Sequence, residues 1–84
     1  MCHKLFDAIY SRSAMDDLAH IIGKRLKEKR EADGLSQRRF ALMINMNRTY
    51  LSGVEHGTRN ISLFNIEKIA KGLNLPLEDL FRGL

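Results

Sequence analysis

From residue 13 onward the apolar positions recur at three- and four-residue intervals, and no stretch alternates long enough to make a strand. The first block places Leu18, Ile21, Ile22 and Leu26 on one face of a helix over residues 14–32. Ser13 and Asp16 have the spacing of a capping box at its start, and Gly34 stands where it would stop. Ser36 opens a second helix, 37–44, which turns Phe40, Ala41 and Ile44 inward. Asn45 follows, a residue that tolerates the left-handed backbone of a sharp turn. Asn47 caps a third helix of about 48–55, and Gly57 ends it. Ser62 caps a fourth, 63–72, with Leu63, Ile66, Ile69, Ala70 and Leu73 on its apolar face, and Asn74 is its left-handed stop. Pro76, at a first-turn position, begins a last short helix presenting Leu77, Leu80 and Phe81. The pattern predicts a compact all-α domain of five helices over residues 13–84. Residues 1–12 form an N-terminal extension, where Leu5, Phe6, Ile9 and Tyr10 suit either a short amphipathic helix or a frayed end.

Composition narrows the class. At 84 residues and 44% apolar, the chain is too hydrophobic to be disordered and long enough for one small domain. Surface scaling buries about two-thirds of the unfolded chain's area, enough for short helices but not for a deep catalytic cleft. No apolar run approaches the roughly 20 residues of a membrane span. The acid at Asp7 and the lack of an apolar stretch near the start argue against a signal peptide. The single cysteine, Cys2, precludes an internal disulfide and fits a reducing cytoplasm.

Net charge is +4, from 14 Lys and Arg against 10 Asp and Glu. Residues 1–23 carry a net −1 and residues 60–84 a net 0, so residues 24–59 hold +5, nine bases against Glu28, Glu31, Asp33 and Glu55. A localised excess of this kind is the footprint of a polyanion partner, although a solvated basic face has the same count.

The two short helices 37–44 and 48–55 and the turn between them have the spacing of a helix-turn-helix, whose second helix lies in the major groove of DNA. On a helical wheel Leu51 and Val54 lie about 60° apart and define the inward face. The opposite face carries Arg48, Thr49, Ser52, Gly53 and His56, with no acid among them. Arg48 has the fork to donate to O6 and N7 of guanine, and Thr49 a hydroxyl and a methyl for thymine. Ser52 and Tyr50 suit phosphate or a thymine methyl. Gly53 fits either a close approach to DNA or close packing against another helix. Gln37, at the start of the second helix, suits a phosphate. Of the adjacent Arg38 and Arg39, one suits phosphate and the other plain solubility, with Arg38 taken as the backbone candidate. Thr58, Arg59 and Asn60 are backbone or minor-groove candidates in the loop that follows.

The strings Gly34-Leu35-Ser36-Gln37, Phe40-Ala41 and Leu51-Ser52 through Glu55, Gly57 and Arg59 resemble the Cro/repressor-type, XRE-like helix-turn-helix family over residues 22–82. Within it, Asn47-Arg48-Thr49-Tyr50-Leu51-Ser52-Gly53-Val54-Glu55 with Arg59-Asn60 is similar to the controller proteins of restriction–modification systems. The resemblance implies a lambda-repressor-like fold and a homodimer that binds a palindromic double-stranded operator and regulates transcription. It implies that Arg48 and Thr49 read bases, that Tyr50, Ser52 and Gln37 grip the backbone, and that Arg59 enters or flanks the minor groove. Taken with the outer face of the helix, the base-reading candidates are Arg48, Thr49 and Ser52. Backbone or groove contacts fall to Gln37, Arg38, Asn47, Tyr50, Thr58, Arg59 and Asn60. It further implies an internal ion pair between Arg30 and Glu55. Arg39 stands where the family's capping-box acid is usual, Asn45 where glycine is usual, and His56 where Arg or Asn is common.

A two-fold dimer needs a surface outside the helix-turn-helix, and Leu77, Phe81 and Leu84 of the last helix are the first choice, with core closure as the alternative. No cofactor, metal or small-molecule ligand is expected. Histidines are scattered, and Cys2-His3 would need a second ligand pair that the chain lacks. The expectation is a regulator and not an enzyme. An antitoxin or adaptor that binds another protein is the alternative, and such proteins usually carry a longer extension than twelve residues.

Overall fold

The computed structural model describes residues 12–59 and 61–84, with side chains from Asp17 onward. The readings made for residues 1–11, and the groove contact assigned to Asn60, lie outside the described residues. Five helices follow in order: α1 (Arg12–Ala32), α2 (Gln37–Met43), α3 (Arg48–His56), α4 (Leu63–Gly72) and α5 (Leu77–Leu80).

Local hydrogen-bond chemistry sets most of these boundaries. Ser36, Asn47 and Ser62 sit in extended backbone ahead of α2, α3 and α4. Each side-chain oxygen accepts from an amide three residues on: Arg39 N at 3.1 Å, Tyr50 N at 3.1 Å and Asn65 N at 3.2 Å. Each bond satisfies an amide that the first helical turn leaves without a partner. The cap at Ser36 forms even though Arg39 replaces the acid of a full capping box. Asn45 and Asn74 take positive φ, 53° and 54°, and turn the chain after α2 and α4.

The structure departs from the periodicity in four places. α1 already includes Arg12, so Ser13 lies within the helix and is not its cap. Pro76 precedes α5 as its N-cap residue instead of occupying the first turn. Leu18 and Ile21 are exposed, although Ile22 beside them is in the core and His20 lies against Gly57. Leu63 is 80% exposed beside Phe64 at 75%, where the start of α4 overhangs the core. An apolar stripe marks a helix as amphipathic, but burial also needs a partner element across from it.

The core is Ile22 and Leu26 of α1, Phe40 and Ala41 of α2, Leu51 and Val54 of α3, Ile66 and Ile69 of α4, and Leu73 and Leu80. α3 packs on α1 and α2, with Leu51 fully enclosed. At the α1–α3 crossing the backbones nearly touch: a methyl added to Gly23 would collide with the Val54 carbonyl and stand 2.7 Å from that of Glu55.

Beside this crossing lies a buried ion pair. Arg30 Nε donates to Glu55 Oε2 at 2.7 Å and Nη2 donates to Oε1 at 2.9 Å, a bidentate arrangement with both side chains nearly inaccessible. Arg30 Nη1 donates at 2.6 Å to the Leu35 carbonyl, in the loop between α1 and α2. The hydrogen bond to Glu55 raises the Arg30 pKa above its ordinary value, outweighing the opposing effect of burial. The arginine side of the pair therefore stays charged throughout the physiological pH range. A second arginine works on the same helix: Arg25 Nη1 donates at 2.8 Å to both the Leu80 and Arg82 carbonyls, which latches the C-terminal end onto α1.

Two stability measurements follow. Replacing Gly23 with Ala places a methyl against backbone atoms that cannot rotate away, and urea unfolding is expected to show a loss of about 2–3 kcal/mol. Glu55→Ala strands a buried guanidinium and is expected to cost about 3–5 kcal/mol, whereas Arg30→Met combined with Glu55→Leu costs much less. Equal losses for the single and double variants would mean that packing volume, and not charge, is what the pair supplies.

Candidate nucleic-acid interface

α3 has two faces of different kind. Leu51 and Val54 are buried, and Glu55, its one acid, is turned inward onto Arg30. The outer face presents Arg48 and Thr49, both exposed, then Ser52 and Gly53, half-buried, and His56, exposed. A solvated helix of ordinary composition would mix acids into such a surface. Here the only acid is consumed inside, and the outer face is left with hydrogen-bond donors and no carboxylate.

Gln37, Arg48, Thr49 and Ser52 line one shallow concavity, so the start of α2 and the start of α3 share a surface. Arg38, Leu42, Met46 and Arg48 meet in a second concavity alongside. Arg48 belongs to both. Among the described residues, no hydrogen bond or ion pair engages the guanidinium of Arg38, Arg48 or Arg59. Elsewhere in the basic stretch Arg30 and Arg25 are held as described, and Lys29 pairs with Asp33 at 3.1 Å. Lys24 and Lys27 on α1 have no partner among the described residues. Among the described side chains, the arginines with open donors therefore cluster around α2 and α3.

Gln37 has a divided role. Its Nε2 donates to Glu55 Oε1 at 2.9 Å, which fixes the amide against the buried pair. One N–H of that NH2 group remains for an outside acceptor. Asn47 spends its side-chain oxygen on the α3 cap. Tyr50 is half-buried, with its hydroxyl accepting from Asn65 Nδ2 at 2.9 Å, so it joins α3 to α4. His56 folds back on its own helix, Nδ1–H donating to the Ser52 carbonyl at 2.7 Å.

The loop after α3 is built onto Gly53. Thr58 donates to the Gly53 carbonyl through its amide at 2.9 Å and its hydroxyl at 3.3 Å. A methyl on Gly53 would run into Arg59 Cγ, 3.3 Å from Cβ and 3.5 Å from Cδ. Glycine inside a helix costs about 1 kcal/mol relative to alanine. In the free protein the space it leaves holds an arginine stem from the following loop, and not another helix.

The sequence gives no local signal for three supporting contacts. Asn65 on Tyr50, Arg25 on the C-terminal carbonyls, and Lys68 Nζ donating to the Asn45 carbonyl at 3.1 Å all join residues far apart in the chain. Of the residues assigned to a dimer surface, Leu77 and Leu84 are exposed and Phe81 is half-buried against the core, while their neighbour Leu80 is enclosed. No helix among the described residues is long and apolar enough to cross a membrane.

Comparison with known proteins places this geometry. The helix-turn-helix family profile matches residues 26–80, from the middle of α1 to the end of α5. Control protein C.MunI of a Mycoplasma species is 46% identical over 71 residues, covering 83% of this chain and 96% of its own. The restriction-modification controller protein C.AhdI from Aeromonas hydrophila superposes with a TM-score of 0.71 at 44% identity, over 75% of this chain and 96% of that one. Controller protein C.Esp1396I, solved as a tetramer in complex with its natural 35 base-pair operator, gives a TM-score of 0.70 at 33% identity over 76% and 84% of the two chains. The chain belongs to the helix-turn-helix control proteins of restriction–modification systems.

Proposed function

We propose that the chain is a cytoplasmic transcriptional regulator that binds a palindromic double-stranded DNA operator as a homodimer and controls a restriction–modification operon. The observation that carries this reading is the acid-free outer face of α3, with Arg48, Thr49 and Ser52 gathered beside Gln37 in one concavity. Relatives named as control proteins, and a structural neighbour solved on its operator, support it.

In this reading α3 enters the major groove. Arg48, at the helix start, donates its two N–H groups to a guanine edge, and Thr49 and Ser52 read adjacent bases. The remaining Gln37 N–H and the Arg38 guanidinium hold phosphates on one side. Tyr50, Asn47 and Thr58 set the angle and register of α3, and Arg59 reaches backbone or minor groove from the loop. One α3 reads too few base pairs to be selective. Two copies related by a two-fold place their helices about 34 Å apart, one turn of DNA. Leu77, Phe81 and Leu84 form the contact between copies, and the exposed Leu63 and Phe64 add apolar surface for it. The activity is recognition, with no bond made or broken.

Selection of bound sites from a pool of random duplexes tests the reading as a whole. Enrichment of an inverted repeat is expected, and enrichment of a single asymmetric site, or of nothing, would remove it. On the selected duplex, Arg48→Ala is expected to lower affinity by about 1–3 kcal/mol while binding to a scrambled duplex changes little. Equal loss on both duplexes would end the base-reading role. A plot of log K against log salt is expected to fall steeply, by close to 0.9 for each phosphate neutralised, and a flat plot would exclude a polyanion partner.

A further inference from the structure

We propose that Gly53 is a positioning residue for Arg59: its missing side chain makes the slot that aims the Arg59 guanidinium along the outer face of α3 toward DNA. The inference rests on the reading of α3 as the DNA-facing helix, and it gives Gly53 a role distinct from close approach to the duplex.

Three features of the free protein converge on this pair. Gly53 lies within α3 on the face that carries Thr49 and His56, where alanine has the higher helix propensity. The three aliphatic carbons of Arg59 lie along the space a methyl would occupy, with Cγ in outright overlap and Cβ and Cδ at 3.3 and 3.5 Å. Thr58, the residue before Arg59, is held by two hydrogen bonds to the carbonyl of the same glycine, at 2.9 and 3.3 Å. The loop is thus pinned at Thr58 and its next side chain is laid across Gly53. An arginine stem carries many rotamers, and each one frozen before binding is entropy that the complex does not have to supply. Among the described residues no acid or carbonyl holds the Arg59 guanidinium, so the charged end stays open while the stem is seated.

A side chain at position 53 displaces Arg59 at its base, where no small adjustment of the far end of the side chain relieves the overlap. The helix itself tolerates the change. Loss of aim without loss of fold separates this role from a structural one.

The test is a double-mutant cycle of Gly53→Ala and Arg59→Ala, measured on the duplex selected by the wild-type protein and on a scrambled duplex. Gly53→Ala is expected to leave the melting temperature equal or higher, to weaken binding to the selected duplex about tenfold, and to reduce the salt slope by about one ion. Made in the Arg59→Ala background, the same change is expected to have no further effect. An undiminished loss in that background would overturn the proposal, since Gly53 would then matter through its own contact with DNA. Unchanged binding in the single Gly53→Ala variant would overturn it as well. If Arg48→Ala abolishes selectivity while Arg59→Ala binds as wild type, the regulator reading stands and the positioning role falls. If the wild-type protein selects no duplex, both fall together. A nuclear Overhauser contact between the Gly53 α-protons and the Arg59 γ-protons is expected in the DNA-free wild-type protein. Its absence would refute the slot without reference to DNA or to any variant.

Discussion

The buried pair of Arg30 and Glu55 is the interaction on which the arrangement of this domain turns. Two charges removed from water are expensive, and their attraction offsets that cost only if the remaining donors and acceptors are also satisfied. Here they are. Arg30 bonds both carboxylate oxygens and the Leu35 carbonyl, and Glu55 receives the Gln37 amide as well. Three elements are thereby registered against one another: α1 through Arg30, the loop into α2 through Leu35 and Gln37, and α3 through Glu55. Hydrophobic burial holds these helices together without specifying their rotation. A bidentate charge pair does specify it, since a shift of an ångström breaks two bonds at once.

This economy also shapes the outer surface. α3 contains a single acid, and drawing it inward leaves a face of donors with no carboxylate to repel phosphate. The polarity of the exposed side follows from what was placed on the buried side. Net charge tells little of this, because two of the arginines in the basic stretch, Arg25 and Arg30, are spent on carbonyls and a carboxylate within the fold.

The parts of this structure that were legible in the sequence are those governed by neighbours in the chain. Ser36, Asn47 and Ser62 announce helix starts because a cap is a bond across three residues, and Asn45 and Asn74 announce turns because their short polar side chains tolerate positive φ. Inward positions such as Phe40, Leu51 and Ile69 followed from helical spacing. Leu18, Ile21 and Leu63 did not, since their exposure depends on where other helices end. Nothing local distinguishes Gly23 or Asn65 from any other glycine or asparagine, and their roles arise from backbones and side chains that meet only in the folded state. Within the candidate site, the outward placement of Arg48 and Thr49 and the half-burial of Ser52 agree with the face the wheel assigns them. The division of Gln37 between Glu55 and the surface, and the engagement of Tyr50 with Asn65, could not be read from it.

The latch formed by Arg25 has a consequence for geometry at a larger scale. α1 grips α3 through Gly23 and Arg30 and grips the C-terminal end through Arg25, within little more than two turns of one helix. The recognition helix and the proposed contact face are thus fixed to a common strut. One helix therefore fixes the distance and angle between α3 and the C-terminal end. α1 is the rigid link between those two surfaces.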